Sequence, residues 1–212
     1  MNVKLVSITK PEIEGLNTAE DLIGYCARVS NPSNQLNTET APKLLKYCID
    51  HGHWSIFEQA SMTVEIKTSR AIAAQILRHK SFSFQEFSQR YSETTEMENL
   101  ELRKQAIKNR QSSEEVMNDI ILNNAAKYAI DFSIKTYEKL LREGVAKECA
   151  RMVLPLCTQT TLYMSGNIRS FMHYLTLRTK EDTQKEHRDV AMEIRKIFAS
   201  NFPNISKALN FI

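Results

Sequence analysis

Apolar and polar residues alternate from Val3 to Ile8. They alternate more cleanly from Ser61 to Lys67, where Met62, Val64 and Ile66 share one face and Ser61, Thr63 and Glu65 the other. A period of two marks a half-buried strand. Helical spacing governs most of the rest. Thr18 to Val29 carries a short helical pattern, and Asn31 to Asn37 (NPSNQLN) has loop composition. A helix follows with Thr40 as its N-cap candidate and Pro42 in its first turn, running through Leu44, Leu45 and Cys48 to a stop near Gly52. Ser69 is placed to cap another through Ala71, Ile72, Ile76 and Leu77. Glu93 to Ser113 is polar and partly irregular. Glu114 to Arg142 reads as one long amphipathic helix ended by Gly144, and Val145 to Leu154 as a second stopped at Pro155. Asn167 to Leu177 and Gln184 to Ser200 read as two more, with a short one after Pro203. These elements predict an α+β fold, with a few strands mostly in the first half and many helices, in a single domain over residues 1–212.

Composition narrows the class. The chain has 212 residues, 42% hydrophobic and 25% charged, with only 5 Gly and 5 Pro, which excludes a loop-rich or disordered protein. No long apolar run predicts a membrane span, and the opening MNVKLVSITK is too short and polar for a secretory leader. The four cysteines form no CxxC pair and have no histidine cluster beside them, so no metal site is expected. Free thiols and the missing leader predict a cytoplasmic protein. A net charge of +3 allows an anionic ligand but is weak for a nucleic-acid binder, so neither nucleic acid nor membrane is expected as a partner.

Several polar residues stand where helix packing does not ask for them. Gln75, Arg78 and His79 lie at i, i+3 and i+4 on the helix from Ser69, hence on one face. If the chain after them is extended, Glu86, Ser88 and Arg90 alternate onto one side. HGHWSIFE supplies His51, His53, Ser55 and Glu58; ARMVLPL supplies Arg151; Asn167, Arg169 and His173 open the third late helix, and Arg178 closes it. Taken singly, each Arg reads as solvated and each His as structural, and Glu58 and Glu86 as ion-pair partners. Phe82, Phe84 and Phe87 read as packing. Taken together, arginines among apolar neighbours with Ser, Gln and Asn donors suit phosphate and a planar heterocycle. A rival reading makes Arg78 to Tyr91 a platform for single-stranded nucleic acid, against which stand Glu86 and the modest charge. Cys157 and Ser88 are the nucleophile candidates, but no Gly-x-Ser-x-Gly elbow surrounds Ser88, which reads better as a hydrogen-bond donor.

RHKSFSFQEFSQRY resembles the signature of the flavin-dependent thymidylate synthases, Arg-His-Arg followed after seven or eight residues by Ser-x-Arg. Here Arg78-His79-Lys80 is followed by seven residues and then Ser88-Gln89-Arg90. CARVS (Cys26 to Ser30), HGHWSIFE, ARMVLPL and NIRSFMHYLTLR (Asn167 to Arg178) resemble further segments of that family, in order and across nearly the whole chain. The resemblance implies the family's fold, with a mixed sheet, and FAD as cofactor. It implies methylation of dUMP to dTMP, with 5,10-methylenetetrahydrofolate as carbon donor and NADPH as the source of electrons. No Gly-x-Gly-x-x-Gly turn is present, so NADPH would visit the flavin without a Rossmann unit. By the same resemblance Gln75, Arg78, Glu86, Ser88, Gln89, Arg90 and Arg151 would surround dUMP, with Arg90 and Arg151 at its phosphate. His53, Ser55, Arg78, His79, Lys80, Glu86, Asn167, Arg169 and His173 would hold FAD. Arg178 would be the catalytic group, facing the pyrimidine and stabilising negative charge as N3 ionises. A homotetramer with shared active sites is implied. Two positions depart from the pattern: Lys80 stands where Arg is usual, and Asp182 where a His commonly follows Arg178 by one turn.

Overall fold

A computed structural model describes all of residues 1–212. Its strands are β1 (Asn2–Ile8), β2 (Ser61–Ser69), β3 (Ser83–Glu86), β4 (Arg103–Gln105), β5 (Ser113–Val116) and β6 (Gln159–Asn167). Its helices are α1 (Ala19–Ala27), α2 (Ala41–Asp50), α3 (Arg70–Ile76), α4 (Ile120–Arg142), α5 (Lys147–Ala150), α6 (Ile168–Arg178), α7 (Lys185–Asn201) and α8 (Pro203–Ala208). The main sheet has the order β1-β2-β6-β3, and β4 and β5 form a separate ribbon.

Two strands run straight into helices, and this positions everything that follows. Ser69 ends β2 and accepts from the Ile72 N–H to cap α3; Asn167 ends β6 and accepts from the Ser170 N–H to cap α6. Because β2 and β6 are antiparallel, with Ser61 opposite Asn167 and Ser69 opposite Gln159, the two helices leave from opposite ends of the sheet. Val64 faces Met164 and Ile66 faces Leu162, so the apolar halves of both strands share one face. Ile72 and Ile76 of α3, Phe171, Tyr174 and Leu175 of α6, and Val190, Ile194 and Phe198 of α7 cover that face in one buried cluster. Each such side chain contributes about 1.5–3 kcal/mol by leaving water. Gly166 faces the same core: a Cβ there would sit 2.5 Å from the Phe82 ring, so a hydrogen is all the site admits.

The α+β class stands, but the sheet is antiparallel throughout where a mixed one was expected. β2 and β3 do run parallel, as a strand–helix–strand unit through α3 requires, yet β6 inserts between them and pairs antiparallel with both. The long helix begins at Ile120, not Glu114. The Asp119 carboxylate accepts from the Ile121 and Leu122 N–H groups and sets its start, while Glu114 to Val116 belong to β5. Thr40 occupies the expected N-cap position of α2, but its hydroxyl accepts from Arg28 Nη2 at 2.8 Å instead of capping.

Candidate active site

The chain turns sharply at the end of α3. The helix stops at Ile76, so Arg78 and His79 stand in the turn beyond it and do not share a helical face with Gln75. The turn carries His79 over the C-terminal end of α6. There Arg178 Nε donates to His79 Nε2 at 2.9 Å, and the imidazole packs edge-on against the Tyr174 ring at 4.9 Å between centroids. Burial, and then the positive charges of Arg178, His173 and Arg78, push the His79 pKa down to about 4. The ring is therefore neutral at physiological pH, with Nε2 as the acceptor. Arg178 is thus oriented by a partner that does not cancel its charge, and its terminal Nη groups carry no ion pair or side-chain bond.

A cleft of about 720 Å³ opens at the N-terminal end of α6. Asn167, Arg169 and His173 line it over Trp54, Met172 and Leu209. Arg169 Nη1 donates to Glu58 Oε1 at 2.5 Å across one wall. His53 and Ser55 flank Trp54 in the chain and are exposed. Trp54, Met172 and Leu209 lie outside the expected set, because an apolar side chain in the sequence carries no mark that separates a cleft floor from the core.

The other expected residues divide. Ser88 and Arg90 lie at a second, shallow cleft with Tyr91, Lys147 and Glu148, and Arg90 Nη2 is 3.4 Å from Glu148. The extended chain ends at Glu86, so Ser88 and Arg90 sit in a turn and do not continue the alternation of β3. Glu86 faces inward, accepting from Arg70 Nη1 at 2.9 Å and from the Thr160 hydroxyl at 3.0 Å, as its ion-pair reading foresaw. Gln89 is buried with its amide nitrogen unpartnered. Arg151 opens a single 3-10 turn, Arg151–Val153, and is half-buried. Among the cations, Arg90 and Arg169 have carboxylate partners, whereas Arg78, Lys80, Arg151 and Arg178 have none. One chain therefore gathers Gln75, His79 and Arg178 in one place, Asn167, Arg169 and His173 in a second, and Ser88 with Arg90 in a third.

A family profile described as thymidylate synthase complementing protein matches residues 13–204. A protein of Paramecium bursaria Chlorella virus 1 described as "Probable flavin-dependent thymidylate synthase" is 53% identical over 219 residues, covering both chains completely. The flavin-dependent thymidylate synthase of Synechocystis sp. is 51% identical over 218 residues, again across the whole of both. The chain belongs to the flavin-dependent thymidylate synthase family. Its fold agrees with that of a solved relative, the UMP/dUMP methylase PolB from Streptomyces cacaoi bound with 5-Br dUMP. The two superpose with a TM-score of 0.84 over 99% of this chain and 94% of that one, at 27% identity. As a flavin-dependent thymidylate synthase family member, the chain keeps both halves of the signature in turns, one after α3 and one after β3.

Proposed function

We propose that this protein methylates dUMP to dTMP with FAD as its flavin, 5,10-methylenetetrahydrofolate as carbon donor and NADPH as reductant. The observation that carries the reading is Arg178, a cation held in orientation by a neutral imidazole and left with its charge uncancelled. Such a group stabilises negative charge that develops beside it, here on a uracil ring losing its N3 proton, which makes C5 the nucleophile. Gln75 lies on the same side of the fold and offers an amide; Arg78, unpaired and exposed, offers a fork to phosphate. Ser88, Gln89, Arg90 and Arg151 complete the nucleotide's surroundings in this reading, with Arg90 and Arg151 at the phosphate. Glu86 acts indirectly, by holding Arg70 and the end of β3.

The cleft at α6 fits a flavin nucleotide by its donor set. It combines an arginine, a histidine and an asparagine at a helix N-terminus with an apolar floor of Trp54, Met172 and Leu209. Asn167, Arg169 and His173 would hold the cofactor there, with His53, Ser55, Arg78, His79 and Lys80 contributing from their turns. Lys80 supplies charge without a planar fork, so its contact is a point charge to phosphate. FAD, when bound, supplies the hydride that reduces the transferred one-carbon unit.

The three groups of residues meet in this reading only when chains assemble. On α4, Ile121, Tyr128 and Phe132 lie at i, i+7 and i+11 and are 79%, 71% and 61% exposed. Met152 and Leu156, beside Arg151, are exposed as well. A stripe of this kind is the mark of a protein interface, and supports a homotetramer with shared sites. No helix is long and apolar enough to cross a membrane.

The test is direct. Purified protein should carry a flavin absorption spectrum that dUMP perturbs, and should form dTMP when given the folate donor and NADPH. A colourless protein that binds single-stranded nucleic acid instead would overturn the reading.

A further inference from the structure

His187 plays no part in the site described so far. It stands in the first turn of α7, fully buried, on the same face as Val190, Ala191 and Ile194. Its Nε2 is 3.0 Å from the Tyr174 hydroxyl and its Nδ1 is 3.3 Å from Gln75 Oε1. Gln75 Nε2 donates to Gln184 Oε1 at 2.6 Å, and Gln184 Nε2 donates to Glu186 Oε2 at 2.9 Å. Arg103 Nη2 donates to Glu186 Oε1 at 2.6 Å.

One end of this relay has a fixed polarity, and the rest follows from it. Burial alone would raise the Glu186 pKa, but the bonds from Arg103, its own backbone N–H and Gln184 outweigh it and hold the group below the usual carboxylate range. An ionised carboxylate only accepts. Gln184 must therefore turn its NH₂ to Glu186 and its oxygen to Gln75. Two carbonyl oxygens cannot share a 2.6 Å contact, so Gln75 turns its NH₂ to Gln184 and its oxygen to His187. His187 must then carry its proton on Nδ1, leaving Nε2 to accept the Tyr174 hydroxyl hydrogen. Flipping any member alone sets two acceptors or two donors face to face.

We propose that His187, its tautomer matched by the Tyr174 hydroxyl, is a positioning residue that locks the Gln75 amide in one orientation. The locked amide has one Nε2 hydrogen left for a ligand, so Gln75 presents a donor to an acceptor oxygen of the nucleotide. The proposal rests on reading Gln75 as a nucleotide-facing group.

Two measurements test it. In the wild-type holoenzyme, ¹⁵N-resolved NMR of the imidazoles should show a neutral His187 with its proton on Nδ1; a proton on Nε2 overturns the polarity argument. Among variants, His187→Asn retains a donor near the Nδ1 position, whereas His187→Gln retains an acceptor near Nε2 and loses the donor to Gln75. The dUMP Kd, read from the flavin spectrum, should stay within about twofold for Asn and rise about tenfold for Gln, with FAD content unchanged in both. Equal affinities in the two variants would reduce His187 to ordinary packing. If the wild type itself ignores dUMP, the functional reading fails instead, and the tautomer result still decides the relay.

Discussion

The buried His187 makes acid stability a quantitative test of the fold. Burial, and then the charges of Arg178 and His79, lower its pKa from 6.5 to about 4. The groups facing it are Tyr174 and Gln75, which bond to both ring nitrogens, and the Arg178–His79 pair beyond them. The native state thus resists a proton that the unfolded chain accepts. Its contribution is intact above pH 6.5, is lost as pH falls toward 4, and declines no further below that. Integrating the difference in bound protons from neutral pH down to about pH 5 gives a loss of the order of 2 kcal/mol from this residue. His79 moves in the same direction, but its partial exposure admits screening and reduces its share. Urea unfolding of wild type and His187→Asn at about pH 7 and pH 5, at one protein concentration, isolates the effect. The sole tryptophan, Trp54, half-buried beside Phe57, provides the signal. The wild type should lose about 2 kcal/mol more than the variant over that interval. Equal losses in the two proteins would mean that His187 is protonated in the native state, and the burial argument would fail.

Three other outcomes follow from the same geometry. Arg178→Ala should abolish dTMP formation while FAD stays bound, because Asn167, Arg169 and His173 lie in a separate cleft; normal turnover in that variant would refute ring activation by charge. Gly166→Ala forces a methyl into the Phe82 ring and should cost about 1–3 kcal/mol in urea unfolding, with a smaller loss than that showing the loop before β3 to be free to move. Phe132→Glu places a charge in the exposed stripe of α4 and should lower the mass measured by light scattering, with loss of turnover in parallel; an unchanged mass would place the interface elsewhere.

The sequence showed most of the helices because their apolar stripes are long, and it showed β2 because Val, Ile and Met alternate with polar residues there. It did not show β6, the strand that holds the sheet together. Thr160, Leu162 and Met164 point inward and Thr161, Tyr163 and Ser165 outward, so threonine appears on both faces and blurs the alternation. β5 was absorbed into the long helix because Ser113 to Val116 is exposed on every residue and has no period to read. The signature residues were legible as types and spacings, but the contact that gives them meaning was not. Arg178 and His79 are 99 residues apart and meet only because β6 and β3 pair. His187 stands in KEHRDV, outside every segment that the resemblance or the spacing singles out. Its one signal was position: it stands three residues before Val190 and seven before Ile194, on the stripe that enters the core.

In the proposed tetramer, Arg151 would link the nucleotide to assembly. It is half-buried without a carboxylate partner, on a turn tied to α4 by the Ser133 hydroxyl, which donates to the Val153 carbonyl. Its neighbour Met152 is 78% exposed, so a chain that covers this patch also withdraws water from the guanidinium. Removing water from an unpaired cation is costly unless an anion arrives with it. In the tetramer reading the nucleotide phosphate is that anion, and the same burial that desolvates Arg151 strengthens its attraction to phosphate. In that reading nucleotide binding and subunit contact support each other, which would account for the place of Arg151 on an apolar edge, apart from Arg178.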